Sequence, residues 1–349
     1  MTEQCGTEKW SVGELDSWRR AGSFLQCSLA FQHSFSELFI TSVLLLVRSR
    51  TNATLTLSLL FAVFLWGGTN TGTKFIVTTW PPIWTGASRF TIAGLALLLL
   101  LRFTQRVEAM NPLSAVIKRR LWWRGGLSLA AYIVIFNSAL RFTSASHVAL
   151  YLGAAPVWAL LWEGRAPRTW NTIQRYGAAV LALSGVFVLF QPALKRGGGT
   201  WVGELLGLAA SVLWTNYGRQ CRALASGLSG AEVSAHTMWR AGLLLLPLAA
   251  VELYKTALVF RLDLVAVQAY CILGGSVVTF WIWNHALRRW PTSQVLLFNN
   301  LIPLSTMSWA WACLGEAITP TFWVAMLLVM TGVLLGQAAS LFSSSAADR

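Results

Sequence analysis

Asn137-Ser-Ala-Leu-Arg141 and the Ser146 to Pro156 stretch that follows return as Asn284-His-Ala-Leu-Arg288 with Ser293 to Pro303. Every landmark is displaced by 147 positions (284 − 137; 303 − 156). Both copies lie in apolar sequence, so the chain is an internally repeated membrane bundle. Hydrophobic residues make up 55% of the 349 positions and charged ones 11%, far from the roughly one quarter charged of a soluble domain. The formal charge of +14 suggests nucleic-acid binding only if the chain is soluble; here Lys and Arg fall between apolar runs, as in cytoplasmic loops.

Runs near the ~20 residues that a bilayer crossing needs predict helices at about 55–77, 83–101, 125–143, 147–163, 176–192, 202–220, 233–254, 265–287, 292–313 and 321–342. With the residues before Ser58 inside, the cytoplasmic loops collect Arg102, Arg106, Lys118, Arg119, Arg120, Arg124, Arg165, Arg168, Arg175, Arg219, Arg222, Arg288 and Arg289. The outer loops hold only Arg141, Lys195, Arg196, Lys255 and Arg261, which favours both termini inside. Five helices is an odd number, so the second copy enters the membrane inverted. The expected fold is therefore an all-α polytopic membrane protein with ten transmembrane helices as two inverted five-helix repeats, residues 55–192 and 202–342. A Gly-rich linker at 193–201 joins them, and a tail at 343–349 closes the chain. Residues 1–54 stand outside the repeat, and three readings stay open for them: an interfacial helix, an eleventh span, or translated sequence upstream of the true start.

The residues also carry a resemblance. Trp66-Gly-Gly-Thr-Asn70 with Lys74, Pro81-Pro82, Ser88-Arg89-Phe90, and later Pro303, Leu314-Gly315-Glu316, Thr319-Pro320 and Gly332 resemble the EamA branch of the drug/metabolite transporter (DMT) superfamily. The order, spacing and duplication of these short motifs carry the likeness over about residues 55–342. At the position where the displacement of 147 places Leu-Gly-Glu in the first half, residues 167–169 read Pro-Arg-Thr. The resemblance implies a ten-helix permease of a bacterial inner membrane that moves small organic solutes such as amino acids, often outward. It also implies basic residues at Lys74 and Arg89.

A solute site in such a repeat lies near the midplane, between the halves. Polar or aromatic groups deep in the spans are the candidates: Trp66, Asn70, Asn137, Tyr151, Trp214, Asn216, Tyr217, Trp281, Asn284, His285, Asn299 and Asn300. Asn and Tyr offer neutral donors and acceptors and the rings an apolar wall, a mix that suits a small amphiphilic solute. The alternative is that the Asn side chains join helices and the Trp rings anchor at interfaces. Asn299-Asn300 beside Pro303 is the leading candidate, because a proline frees a carbonyl within the span. Lys74, Arg89 and Arg240 fall inside predicted spans, where they serve gating or anion capture, or else bind helix-end carbonyls and snorkel.

The acidic residues of the bundle fall near span ends, which disfavours a carboxylate proton relay and favours exchange or downhill movement. Cysteine spacing suggests neither metal nor redox chemistry, and no phosphate loop, His-Glu-x-x-His helix or Gly-x-Ser-x-Gly elbow is present. The expectation is accordingly no enzyme, no cofactor and no metal, with a small solute and the lipid bilayer as partners and no nucleic acid. The alternatives are a non-transporting membrane sensor or scaffold, or a membrane enzyme.

Overall fold

The computed structural model describes residues 50–104, 113–162, 170–196, 200–224, 228–287, 289–290 and 292–347. Most of the segment for which an interfacial helix, an extra span or an upstream start was considered lies outside them. The described residues are helical, without strand. The helices are α1 (Arg50–Val77), α2 (Pro82–Thr104), α3 (Ala115–Phe142), α4 (Ala145–Gly153), α5 (Ala155–Trp162) and α6 (Trp170–Arg196). They continue as α7 (Thr200–Leu224), α8 (Gly230–Lys255), α9 (Leu262–Leu287), α10 (Thr292–Leu297), α11 (Ile302–Leu314) and α12 (Pro320–Ala347). Two compact units result, one ending at Leu57, of which the described part is the opening of α1, and one from Ser58 to Arg349.

Local chemistry sets the helix ends. Pro82 opens α2, where a missing N–H costs nothing, and the Glu252 carboxylate accepts from the Ile83 and Trp84 amides, both at 2.9 Å. Ser229 and Glu232 form a capping box at the start of α8. Gly315, in the left-handed region at φ 65°, ends α11. One π-helical turn widens α3 at Leu121–Gly126 and another widens α9 at Leu273–Val278.

The most extensive packing joins α2 to α8 and α6 to α12. Glycines bring the backbones together, as small residues do between membrane helices. A Cβ on Gly185 of α6 would lie 2.6 Å from the Ala325 carbonyl of α12, and one on Gly332 of α12 would lie 2.6 Å from the Ala178 carbonyl of α6. These two glycines are 147 positions apart (332 − 185) and each presses on the other's helix. Gly94 of α2 and Gly242 of α8 are reciprocal in the same way, against Ala235 to Trp239 and Ala87 to Thr91.

Among the described residues, six helices are long and apolar enough to cross a membrane: Ala53–Val77, Pro82–Phe103, Ala115–Phe142, Ala145–Trp162, Ile173–Lys195 and Leu262–Leu287. Three of the other four expected spans fall short for visible reasons. Glu204, Thr215, Asn216 and Tyr217 dilute α7, and Glu232, His236, Arg240 and Glu252 dilute α8. The 292–313 segment is broken into α10 and α11, while α12 is apolar over Pro320–Gly336 and helical to Ala347. At the expected linker α6 runs on to Arg196, and at the expected tail α12 continues to Ala347.

Candidate functional site

Pro156 and Pro303 each lack a backbone donor, and the helix carrying each is interrupted just before it. Ala154 separates α4 from α5, while a 3-10 turn, Phe298–Leu301, separates α10 from α11. The interruptions correspond under the displacement of 147, Ala154 with Leu301 (301 − 154). They also abut, since a Cβ on Gly153 would sit 3.1 Å from Pro303 Cγ. Asn300 is buried in this turn and Asn299 is half-buried beside it.

Carbonyls around the first interruption are satisfied from α7. Ser211 Oγ donates to the Tyr151 carbonyl at 2.5 Å and itself accepts from Trp158 Nε1 at 3.0 Å, and Thr215 Oγ1 donates to the Ala155 carbonyl at 3.2 Å. Around the second, the partner is α1. Asn70 Nδ2 donates to Thr306 Oγ1 at 3.1 Å, Thr71 Oγ1 to the Thr306 carbonyl at 3.3 Å, and Trp309 Nε1 to the Phe64 carbonyl at 3.1 Å. Each broken helix is thus tied to the first helix of the opposite repeat.

Two aromatic groups repeat the same scheme. Trp66 of α1 packs on Phe280 and Trp283 of α9, with ring centroids 5.6 and 5.0 Å away. Trp214 of α7 packs on Tyr132 of α3 at 4.9 Å, and Tyr132 stacks on Phe136 at 5.3 Å. The correspondence is residue by residue, Trp66 with Trp214 and Tyr132 with Phe280 at 148, Phe136 with Trp283 at 147. Tyr217 extends the second group, 5.5 Å from Trp214, with its hydroxyl 2.8 Å from Thr237 Oγ1.

The short turn between α3 and α4 is clamped from three sides. Lys74 Nζ donates to the Leu140 and Thr143 carbonyls at 2.7 and 2.8 Å, neutralising the negative end of α3. The Glu316 carboxylate accepts from the Ala145 and Ser146 amides and the Ser146 hydroxyl, at 2.7, 3.2 and 2.7 Å, capping α4. The chain reversal at Gly315 delivers it, which gives the Leu-Gly-Glu motif a physical role. From α7 comes Glu204, which is near its helix start as expected but only 5% exposed. It accepts from Thr143 Oγ1 at 2.6 Å and Tyr151 OH at 2.7 Å, and lies 2.8 Å from His147 Nδ1. Thr143 lies in the turn itself, and His147 and Tyr151 follow at spacings of four along one face of α4. That spacing was visible in the sequence, whereas the carboxylate they meet lies 53 to 61 residues away.

Arg89 and Arg240 are buried, and neither has a carboxylate within ion-pair range among the described residues. Arg89 donates from Nε to Ser276 Oγ of α9 at 3.2 Å and from Nη1 to Thr73 Oγ1 of α1 at 3.1 Å. Arg240 binds the His236 carbonyl at 2.9 Å and lies over the Trp239 and Trp122 rings, 4.1 and 5.5 Å from their centroids. Asn137 donates to the Pro82 carbonyl at 2.8 Å; its counterpart Asn284 donates to the Phe280 carbonyl at 2.7 Å, with Oδ1 beside Gly230. Both therefore touch the opening of the helix that precedes them. Asn216 is half-buried on α7. Trp281 is 39% exposed and stacks on His285 at 5.8 Å, away from the aromatic pairs above. Sequence reasoning missed Tyr132, Phe136, Trp158, Ser211, Thr306 and Glu204; the repeat register alone pointed to the first two.

A helical membrane bundle with a duplicated, interrupted helix and tiny connections has the build of a membrane transporter. The model of the EamA-like transporter family matches twice, over residues 54–191 and 201–336, and the chain belongs to that family, consistent with the DMT superfamily. It is similar to a Bacillus subtilis (strain 168) protein named "Uncharacterized transporter YwfM", 24% identical over 81% of this chain and 93% of that protein. "Uncharacterized transporter YyaM" of the same organism is 23% identical over 78% and 90% of the two chains. One solved protein crystal structure shares the fold, with a TM-score of 0.54 and 20% identity over 81% of this chain and 97% of that one.

Proposed function

We propose that this protein is a permease of ten spans, two inverted five-helix halves, that carries small organic solutes such as amino acids by alternating access without ATP hydrolysis. The observation that carries the reading is the abutting pair of helix interruptions at Gly153 and Pro303. Broken helices at corresponding positions of two repeats are where secondary transporters hold their solutes. The corresponding aromatic pairs, each joining helices of different halves, support a site between the halves, with Tyr151, Asn299 and Asn300 close to the breaks along the chain and Asn70 bonded to Thr306 just past the second. Arg89, buried against neutral hydroxyls, is the anion-capturing group of this reading.

With both termini cytoplasmic in a plasma membrane, the clamped α3–α4 turn lies on the outer side. Lys74, Glu204 and Glu316 then lock the outer mouth, and opening it requires those bonds to part as the halves rock. Outward release of solute follows that opening. The test is counterflow of labelled amino acids into liposomes holding the purified chain. Saturable counterflow that disappears in Asn300→Ala supports the reading; a full metabolite panel without flux, from a correctly folded protein, refutes it in favour of a sensor or scaffold.

A further inference from the structure

On α3, just where the π-helical turn widens it, the chain reads Lys118-Arg119-Arg120-Leu121-Trp122-Trp123-Arg124. All four cations are exposed, and none has a carboxylate within ion-pair range among the described residues. Arg119 and Arg120 lie about one turn before Trp123, with Arg124 next to it, so charge and indole share a patch. Trp123 is 66% exposed. Beside it opens a cavity of about 210 Å³ lined by Trp122, Trp123 and Leu244, on the seam between α3 and α8. Elsewhere on this seam α3 and α8 are close-packed, because a Cβ on Gly126 would lie 3.1 Å from Arg240 Cβ. Behind Trp122 stands Arg240, 5% exposed, with Nε unpartnered among the described residues.

A basic rim, an exposed indole and an apolar crevice between two helices together match one kind of occupant. We infer that this seam binds an anionic phospholipid, its phosphate on Arg119, Arg120 and Arg124 and the start of its chains against Trp122, Trp123 and Leu244. Guanidinium groups grip phosphate with paired donors, and indoles favour the headgroup boundary. Juxtamembrane cations draw anionic lipid strongly enough that each contributes about fivefold in affinity. The positive field of Arg240, with no carboxylate in ion-pair range among the described residues, adds to the attraction. This site is separate from the solute reading and does not depend on it.

The test follows the thermal unfolding midpoint of the full chain in neutral detergent while phosphatidylglycerol is titrated, with phosphatidylcholine and glycerol 1-phosphate in parallel. A saturable rise with phosphatidylglycerol is expected, with little effect of phosphatidylcholine and none of glycerol 1-phosphate. The combined R119A/R120A/R124A variant should raise the half-saturating concentration at least about tenfold, the corresponding Lys variant much less, and Trp123→Ala should weaken binding alone. The site is overturned if the triple Ala variant titrates like the unaltered chain, or if phosphatidylcholine or no lipid stabilises equally. A full response to glycerol 1-phosphate would make it a soluble-phosphate site instead of a lipid site.

Discussion

Arg89 and Arg240 are buried on corresponding helices of the two repeats, about one turn out of register (240 − 89 = 151 against 242 − 94 = 148 for the crossing glycines), and are held by different chemistry. Arg89 of α2 bridges α1 and α9 through two hydroxyls, whereas Arg240 of α8 lies against α3 and is stacked on indoles. The packing between repeats is duplicated in detail, as Gly185 with Gly332 and Trp66 with Trp214 show. The polar contacts are not: in the register that pairs Trp66 with Trp214, Glu204 has Thr56 at its corresponding position (204 − 148). Backbone separations of a few ångströms leave glycine no substitute, so shape is preserved between copies. A polar group needs only some partner in reach, so its chemistry is free to diverge.

Substitutions at the glycine crossing challenge the duplicated half of this comparison hardest. Gly332→Leu and Gly185→Leu each drive a side chain into a facing carbonyl and should cost about 3 kcal/mol by thermal or denaturant unfolding. Gly218→Ala, where a Cβ meets nothing within 4 Å, should change stability by less than about 0.5 kcal/mol. Equal, small effects at all three would dissolve the distinction.

The diverged half is sharpened by Glu204→Gln, which keeps the shape and removes the charge that its neighbours converge on. A loss of about 1–3 kcal/mol is expected in the same measurement. Glu316→Ala should cost about 1 kcal/mol and speed hydrogen exchange at the Ala145 and Ser146 amides. Among these polar positions the smallest effect belongs to Arg240→Lys, where an ammonium replaces a planar cation on two rings, at about 0.5–1 kcal/mol. A Glu204→Gln protein as stable as the unaltered one would remove the clamp from the account.

Much of the helical layout could be read from the sequence because apolar run length and the displacement of 147 are local or self-comparing signals. The spans 147–163 and 292–313 were expected unbroken, with a freed carbonyl foreseen only at Pro303; the observed breaks fall within a few residues of Pro156 and Pro303. The six long apolar helices follow from composition; α7 and α8 carry polar groups that composition alone penalises, though Glu204, Thr215, Tyr217, His236 and Arg240 among them are buried. The side-chain partnerships could not be read. Asn137 and Asn284 were recognisable as a duplicated pair, but nothing in their neighbourhood told that they meet the openings of α2 and α8. Thr143, His147 and Tyr151 form a stripe that became a carboxylate cradle only once α7 was packed against it.

Counterflow through three variants side by side tests the central claim that solute is handled where the two interrupted helices meet. Gly153→Val and Asn300→Ala alter corresponding positions of the two breaks (300 − 153), while Trp281→Ala alters an exposed ring elsewhere on α9. The account predicts that the first two lose saturable flux, with folded protein retained, and that Trp281→Ala transports normally. Normal flux through Gly153→Val and Asn300→Ala, or its loss in Trp281→Ala alone, would contradict it.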